Sequence, residues 1–117
     1  MPLDLKIRLK QYSLKIIKLF GMLPKRVEAQ LIGKQLFRSG TSVGAQYFES
    51  CRAKSDADFI NKIESSLQEL EETLYWLDLL SDGEIFHNEL LVELMTETKE
   101  LNAILTSMVK KVKSRKK

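Results

Sequence analysis

The chain has 117 residues, of which 44% are hydrophobic and 30% are charged. This length and composition indicate a single globular domain over residues 1–117 and exclude a disordered chain. No stretch approaches the roughly 18 apolar residues of a membrane span, and the N-terminus has no apolar signal-peptide core. The one cysteine, Cys51, excludes an internal disulfide and suits a reducing compartment. We therefore expect a cytoplasmic protein with no membrane partner.

The net charge of +3 conceals a strong asymmetry along the chain. Residues 1–26 carry seven Lys or Arg and one acidic residue, whereas residues 55–109 carry two Lys and thirteen acidic residues. Residues 110–117 add six further Lys or Arg. A basic first part, an acidic second part and a basic tail can steer self-association, nucleic-acid binding, or both.

Hydrophobic residues recur every three or four positions in four segments, which predicts four helices. The first covers about residues 4–23 and ends there because Pro24 disfavours helix at the residue before it. The second covers about 27–54 and carries two apolar seams, both interpreted as buried. One seam comprises Ala29, Gly33, Leu36, Gly40, Val43, Tyr47 and Ser50, and the other comprises Phe37, Gly44, Phe48 and Cys51.

The third predicted helix covers about residues 56–81, with Ser55 as its N-cap and Gly83 as a left-handed residue at its end. The fourth covers about 88–112, begins near Asn88 and leads into a basic tail that frays over residues 110–117. Four amphipathic helices joined by short connections predict an all-α fold, namely an antiparallel up-down-up-down four-helix bundle.

Residues 38–48 contain no charge after Arg38 and are rich in small residues. Glycine within a helix costs about 1 kcal/mol relative to alanine, so Gly33, Gly40 and Gly44 need a packing reason. Close approach of a neighbouring helix supplies one, and a bulky residue at Gly40 or Gly44 should then unfold or disassemble the protein. A phosphate-binding loop is disfavoured because the segment lacks the required lysine and a preceding strand.

Two further features concern contacts between helices or subunits. If helices 2 and 3 form an antiparallel hairpin, Arg38 should lie opposite helix 3 and form a partly buried ion pair with Glu69 or Glu72. Tyr75 and Trp76 are adjacent and must point in different directions, so at least one leaves the apolar stripe. An exposed aromatic there suggests a subunit or partner contact, although a wide core stripe is an equal alternative.

Candidate catalytic groups are few. The only histidine, His87, follows Glu84 by three residues, but a di-iron bundle needs two such motifs and further glutamates. Cys51 lies on an apolar seam and is interpreted as a structural thiol. We therefore predict no catalytic, cofactor-binding or metal-binding residues, no cofactor and no enzymatic activity.

The basic groups are candidate phosphate contacts. They belong to the first helix and to the tail, and they comprise Lys6, Lys10, Lys110, Lys111, Lys113, Arg115, Lys116 and Lys117. A tail that only keeps the protein in solution is the alternative interpretation.

Several motifs together resemble a known bacterial family of four-helix bundles, named after the 23S rRNA intervening-sequence protein. They are Gly33-Lys34-Gln35-Leu36, the run from Arg38 to Ala45, Tyr47, Glu49, Ser55-x-x-Asp58-Phe59-Ile60-x-Lys62, Glu69-x-x-Glu72-Thr73 and Tyr75-Trp76-Leu77-x-Leu79-Leu80. The resemblance covers most of the chain. It implies a ring-forming homo-oligomer, a pentamer, and offers no catalytic residues to carry over.

These observations lead to two functional hypotheses. In the first, the protein is a non-enzymatic ring-forming scaffold whose repeated basic surfaces bind structured RNA or DNA. In the second, it is a protein–protein adaptor, for example for a nucleic-acid-processing enzyme, with little affinity of its own for nucleic acid. Helix-packing and assembly roles fall to a set of residues within helices 2 and 3. They are Gly33, Arg38, Gly40, Gly44, Glu69, Glu72, Tyr75 and Trp76.

Overall fold

The computed structural model describes residues 4–115, and all regular secondary structure in that range is helical. The four helices are α1 (Leu5–Met22), α2 (Val27–Ser50), α3 (Asp56–Asp82) and α4 (Glu89–Arg115). Each packs antiparallel to the next along the chain, and α4 also packs against α1. The predicted all-α four-helix bundle is therefore confirmed. No helix in the described range is long and apolar enough to cross a membrane.

One apolar core runs through the middle of the bundle, which measures 50 × 26 × 21 Å. Each helix contributes residues spaced three or four apart, as expected for helices that bury one face. The core includes Leu9, Ile16, Leu36, Val43, Ile63, Leu70, Leu77, Leu94, Leu101 and Leu105.

A buried layer of hydroxyl groups crosses this core and receives one residue from each helix. Tyr12 of α1 is 1% exposed and donates to Thr98 Oγ1 of α4 at 2.6 Å, since Thr98 itself donates to a carbonyl of its own helix. Thr73 of α3 lies 2.8 Å from Ser39 Oγ of α2. Burial raises the pKa of the Tyr12 phenol, and hydrogen bonds with Thr98 and Thr73 oppose the rise. The layer is fully hydrogen-bonded, so burying it carries no penalty for unpaired polar groups.

The helix starts agree with the sequence. Ser55 Oγ accepts the Asp58 backbone N–H at 3.1 Å, and Asn88 Oδ1 accepts the Leu91 N–H at 2.9 Å. At the end of α3, however, the left-handed residue is Glu84, with φ of 54°, whereas Gly83 has an ordinary φ of −80°. The prediction of Gly83 as the left-handed residue is therefore wrong, because the turn closes one residue later than expected.

Two helix ends differ from their predicted positions. The second helix ends at Ser50, not Lys54, because the Arg52 and Ala53 N–H groups bond to the Glu49 and Ser50 carbonyls in tight turns. The fourth helix continues to Arg115, so the expected fraying of the tail is wrong for residues 110–115. Basic side chains in the last turn favour this extension, because they face the negative end of the helix dipole.

The second apolar seam of α2 is not buried, contrary to the prediction. Phe37 is 37% exposed and Phe48 is 55% exposed, while Cys51 lies beyond the helix end and is also exposed. The reason is geometric: α1 and α3 together cover only one side of α2, and the bundle offers no further helix for the other side. Residues 38–48 are therefore surrounded on one face only.

Candidate functional site

Basic residues from three distant parts of the sequence meet at one end of the bundle. At this end α1 begins, α2 is joined to α3, and α4 ends. Lys6, Lys10 and Arg52 line one groove, and Lys54 and Arg115 line a second, neighbouring one. We call this the basic end and define it by seven cations, namely Lys6, Lys10, Arg52, Lys54, Lys110, Lys111 and Arg115.

These seven side chains are exposed, and none forms an ion pair with another residue of the described range. Lys113 differs from its neighbours because its Nζ lies 3.4 Å from the Glu64 carboxylate of α3, which offsets part of its charge. Lys116 and Lys117 lie outside the described residues. The predicted phosphate contacts of α1 and α4 are thus brought together with Arg52 and Lys54, which the sequence analysis did not single out.

The cations of α1 divide into two groups. Arg8 donates to the Glu97 carboxylate twice at 2.7 Å and to Glu100 at 3.0 Å, and these contacts raise its pKa further. Arg8 and Lys15, which pairs with Glu93, therefore fasten α1 to α4. Lys6 and Lys10 point elsewhere and remain available.

A groove opens between α1 and α2 at the basic end. It has a volume of about 610 Å³, and Gly44 and Ala45 form its floor between Ile7 and Phe48. Ile7 is 49% exposed, and the Lys6 ammonium lies 5.3 Å from the centre of the Phe48 ring. Sequence reasoning missed this groove because Phe48 and Gly44 follow the helical period of a buried seam.

The three glycines of α2 have different surroundings. A Cβ at Gly40 would lie 2.8–2.9 Å from three side-chain atoms of Ile16, and one at Gly33 would lie 2.6 Å from Leu23. At Gly44 the nearest atom would be 3.4 Å away, an ordinary contact distance. Gly33 and Gly40 therefore allow α1 to approach closely, whereas packing within the chain does not require glycine at position 44.

Arg38 reaches both carboxylates expected from the hairpin register. Its guanidinium contacts Glu72 and lies 3.3 Å from Glu69. The hydrogen bond with Arg38, assisted by one from the Trp76 indole, lowers the pKa of Glu72. The Arg38 side chain is 49% exposed, so the pair is more superficial than predicted. Its assembly role stays a prediction.

Tyr75 and Trp76 point apart, as expected for neighbouring helical residues. Trp76 is partly buried against the core and donates to Glu72 at 3.3 Å, while Tyr75 is 56% exposed. Their rings meet edge to face with centroids 5.2 Å apart. Tyr75 thus stands on the outer surface of α3, supported on one side by a fixed ring.

The only cysteine and the only histidine of the sequence do not lie near each other. Cys51 lies in the connection at the basic end, and His87 lies in the connection between α3 and α4 at the opposite end of the rod. The two side chains of one copy therefore cannot act on a common substrate. Within residues 4–115 no group of three His, Cys, Asp or Glu side chains is arranged to hold a metal ion.

These features define a class of protein, an all-α four-helix bundle with a cationic end and an open apolar face. The family model of the 23S rRNA-intervening sequence protein matches residues 3–107. The chain belongs to this family.

A crystal structure at 1.70 Å resolution, of a Bacteroides thetaiotaomicron protein with unknown function from the S23 ribosomal protein family, is similar to the chain. The TM-score is 0.84 and the sequence identity 36%, over 92% of this chain and 99% of that one. No curated protein matches the chain.

Proposed function

We propose that this protein is a non-enzymatic, ring-forming scaffold that binds the phosphate backbone of structured RNA or DNA with its basic end. The observation that carries the proposal is the meeting of seven exposed cations without ion-pair partners in the described range, drawn from α1, the α2–α3 connection and α4. Several cations outside this set, namely Arg8, Lys15, Arg38 and Lys62, are instead offset by carboxylates that they contact.

Ring formation would increase the affinity of the basic ends for nucleic acid. A single basic end makes only a few phosphate contacts, but several copies held in one ring would present them together to one nucleic acid. The open apolar face of α1 and α2 supports self-association, because exposed apolar patches of this kind mark interaction sites. The name of the family, with its reference to an intervening sequence of 23S rRNA, favours RNA as the first ligand to test.

The test is a titration of a structured RNA against the full chain over a range of salt concentrations. If the cations contact phosphates, log K should fall linearly with log salt, with a slope of about 0.7–0.9 per contact. The variant Lys110→Ala/Lys111→Ala/Arg115→Ala should flatten this slope by about 2 and weaken binding at low salt.

The matched control removes three exposed lysines from the other half of the rod, as Lys18→Ala/Lys25→Ala/Lys34→Ala. Both triple variants change the net charge equally, so a general charge effect would weaken binding equally in both. Equal losses would contradict a localised site. Absence of RNA and DNA binding at low salt would instead favour the second function, a protein–protein adaptor, which the exposed apolar face also supports.

A further inference from the structure

The groove between α1 and α2 is an apolar surface with no cover in the single chain. Its walls are Ile7 and Phe48, each about half exposed, and its volume of about 610 Å³ can hold an aromatic side chain with its neighbours. The apolar face continues away from the groove along both helices, through Leu14 and Ile17 of α1 and Phe37 of α2. A soluble bundle rarely leaves so long an apolar face in water.

Gly44 provides a second, independent reason to expect an occupant. Glycine at the middle of a helix costs about 1 kcal/mol relative to alanine. At position 40 there is a packing reason for it, because a Cβ there would clash with Ile16. Gly44 has no such justification, because a Cβ there would meet nothing closer than 3.4 Å. Its small size instead keeps the floor of the groove low, which matters only if something enters from outside.

The charges around the groove restrict the occupant. Lys10 and Arg52 line it without ion-pair partners in the described range, and Lys6 lies against Phe48. The one carboxylate of the lining, Glu49, is already paired with Lys62. An entering group should therefore be aromatic or aliphatic at its tip and acidic around it.

Tyr75 on α3 has this character. It is 56% exposed, and the residues three, four and seven positions away along the helix include Glu71, Asp78 and Asp82. Residues at those spacings share the outer surface of a helix, so the tyrosine projects from an acidic collar.

We propose that Tyr75 of one copy inserts into the groove of a second copy, between Ile7 and Phe48, with its acidic collar facing Lys10 and Arg52. The inference rests on the ring formation of the proposed function and specifies the contact that builds the ring. Lys10 and Arg52 then belong to the subunit contact, which leaves Lys54, Lys110, Lys111 and Arg115 of the basic end for phosphate. The two surfaces lie on different helices of each copy, and the contact that we propose is head-to-tail. Such a contact closes into a ring when the rotation between copies permits.

Two single substitutions break the two sides of this contact separately. Ala45→Glu places a carboxylate on the floor of the groove, and Tyr75→Ser removes the inserted ring. Both positions are exposed, so each variant should keep its helix content, which circular dichroism checks. Ala103→Glu and Val92→Ser make the same chemical changes, or close to them, at exposed positions of α4 and serve as controls.

Sedimentation velocity at one protein concentration measures the result. The wild type and both controls should sediment as an oligomer, while Ala45→Glu and Tyr75→Ser should each sediment at the monomer mass of 13.5 kDa. An equimolar mixture of the two variants should form a dimer of twice that mass, because Tyr75 of one can still enter the intact groove of the other.

Four outcomes would overturn the inference. Either variant could keep the wild-type mass, or the mixture could remain monomeric. Alternatively, Ala45→Glu could stay oligomeric but lose RNA affinity, in which case the groove binds nucleic acid and the proposed function survives without this contact. A wild type that is monomeric at every concentration would contradict both this inference and the ring formation of the proposed function. The RNA titration would still test nucleic-acid binding on its own.

Discussion

The two faces of α2 have similar compositions but opposite environments. On the inner face, Gly40 admits Ile16 of α1, and the Val43 carbonyl accepts a hydrogen bond from Ser66 of α3 at 2.6 Å. On the outer face, Gly44 and Phe48 follow the same period but line an open groove beside α1. Small and apolar residues therefore do not by themselves mark the interior of a chain. They mark a surface where something packs closely, which can be another helix or another molecule.

The largest expected effect comes from replacing the two glycines in turn by alanine. Both changes gain the same helix propensity, about 1 kcal/mol, so their difference reports packing alone. Gly40→Ala forces a methyl group against Ile16, which is fully buried and cannot retreat, whereas a methyl group at Gly44 would lie at ordinary contact distances from Ser13 and Leu9. We expect Gly40→Ala to be less stable than Gly44→Ala by about 2 kcal/mol in urea unfolding.

The unfolding measurement must separate folding from association, since self-association would make the midpoint depend on protein concentration. The comparison therefore belongs at concentrations where dilution leaves the midpoint unchanged. Equal stability of the two variants would mean that α1 yields at Ile16, and the distinction between the two faces of α2 would not hold.

The second prediction concerns the hydroxyl layer, which fixes the inner face of the bundle. Thr98→Val keeps the shape of the side chain but removes the acceptor that the buried Tyr12 hydroxyl uses at 2.6 Å, at a cost of about 2 kcal/mol. Tyr12→Phe should cost only about 1 kcal/mol, because Thr98 still donates to Leu94. The double variant should be no less stable than Thr98→Val alone.

A double-mutant cycle by thermal or urea unfolding measures the coupling between these two residues. If Thr98→Val is as stable as the wild type, the Tyr12 hydroxyl has found Thr73 instead, and the layer is a flexible network. Additive losses would show that the two residues do not depend on each other.

The inner face was largely predictable from the sequence, because hydrophobic period and capping residues act locally. The starts of α3 and α4 follow from Ser55 and Asn88, and the pairing of Arg38 with α3 follows from the register of a helical hairpin. Five of the seven residues of the basic end could be named individually, but Arg52 and Lys54 could not. Their convergence required the topology, which brings the beginning of α1 to the end of α4.

The outer face could not be predicted, because periodicity shows that a surface is apolar without showing what covers it. Phe48 and Cys51 were therefore assigned to the core, and both are exposed. The predicted end of α2 was also wrong, since residues 51–54 contain neither proline nor glycine to mark the turn that their backbone hydrogen bonds form. Local patterns determine helices well and their surroundings poorly.

The smallest expected effect is at the boundary between the two faces, where Arg38 joins α2 to α3. The pKa of Glu72 is lowered from its ordinary value of 4.5, so the folded state binds fewer protons there than the unfolded state. The stabilisation is therefore present above pH 4.5 and is lost as the pH falls below it. Because Arg38 is half exposed, solvent screening limits the stabilisation by this ion pair to less than about 1 kcal/mol.

Glu72→Gln should accordingly lower the free energy of unfolding slightly at pH 7 and leave it unchanged at pH 3, measured by urea unfolding. Glu71→Gln is the control, because Glu71 neighbours Glu72 but forms no ion pair with the described residues. A loss for Glu72→Gln that persists at pH 3 would point to its uncharged contact with Trp76 instead. The ion pair would then contribute little, and the inner contacts of α2 would be almost entirely those of Gly40, Ser39 and Val43.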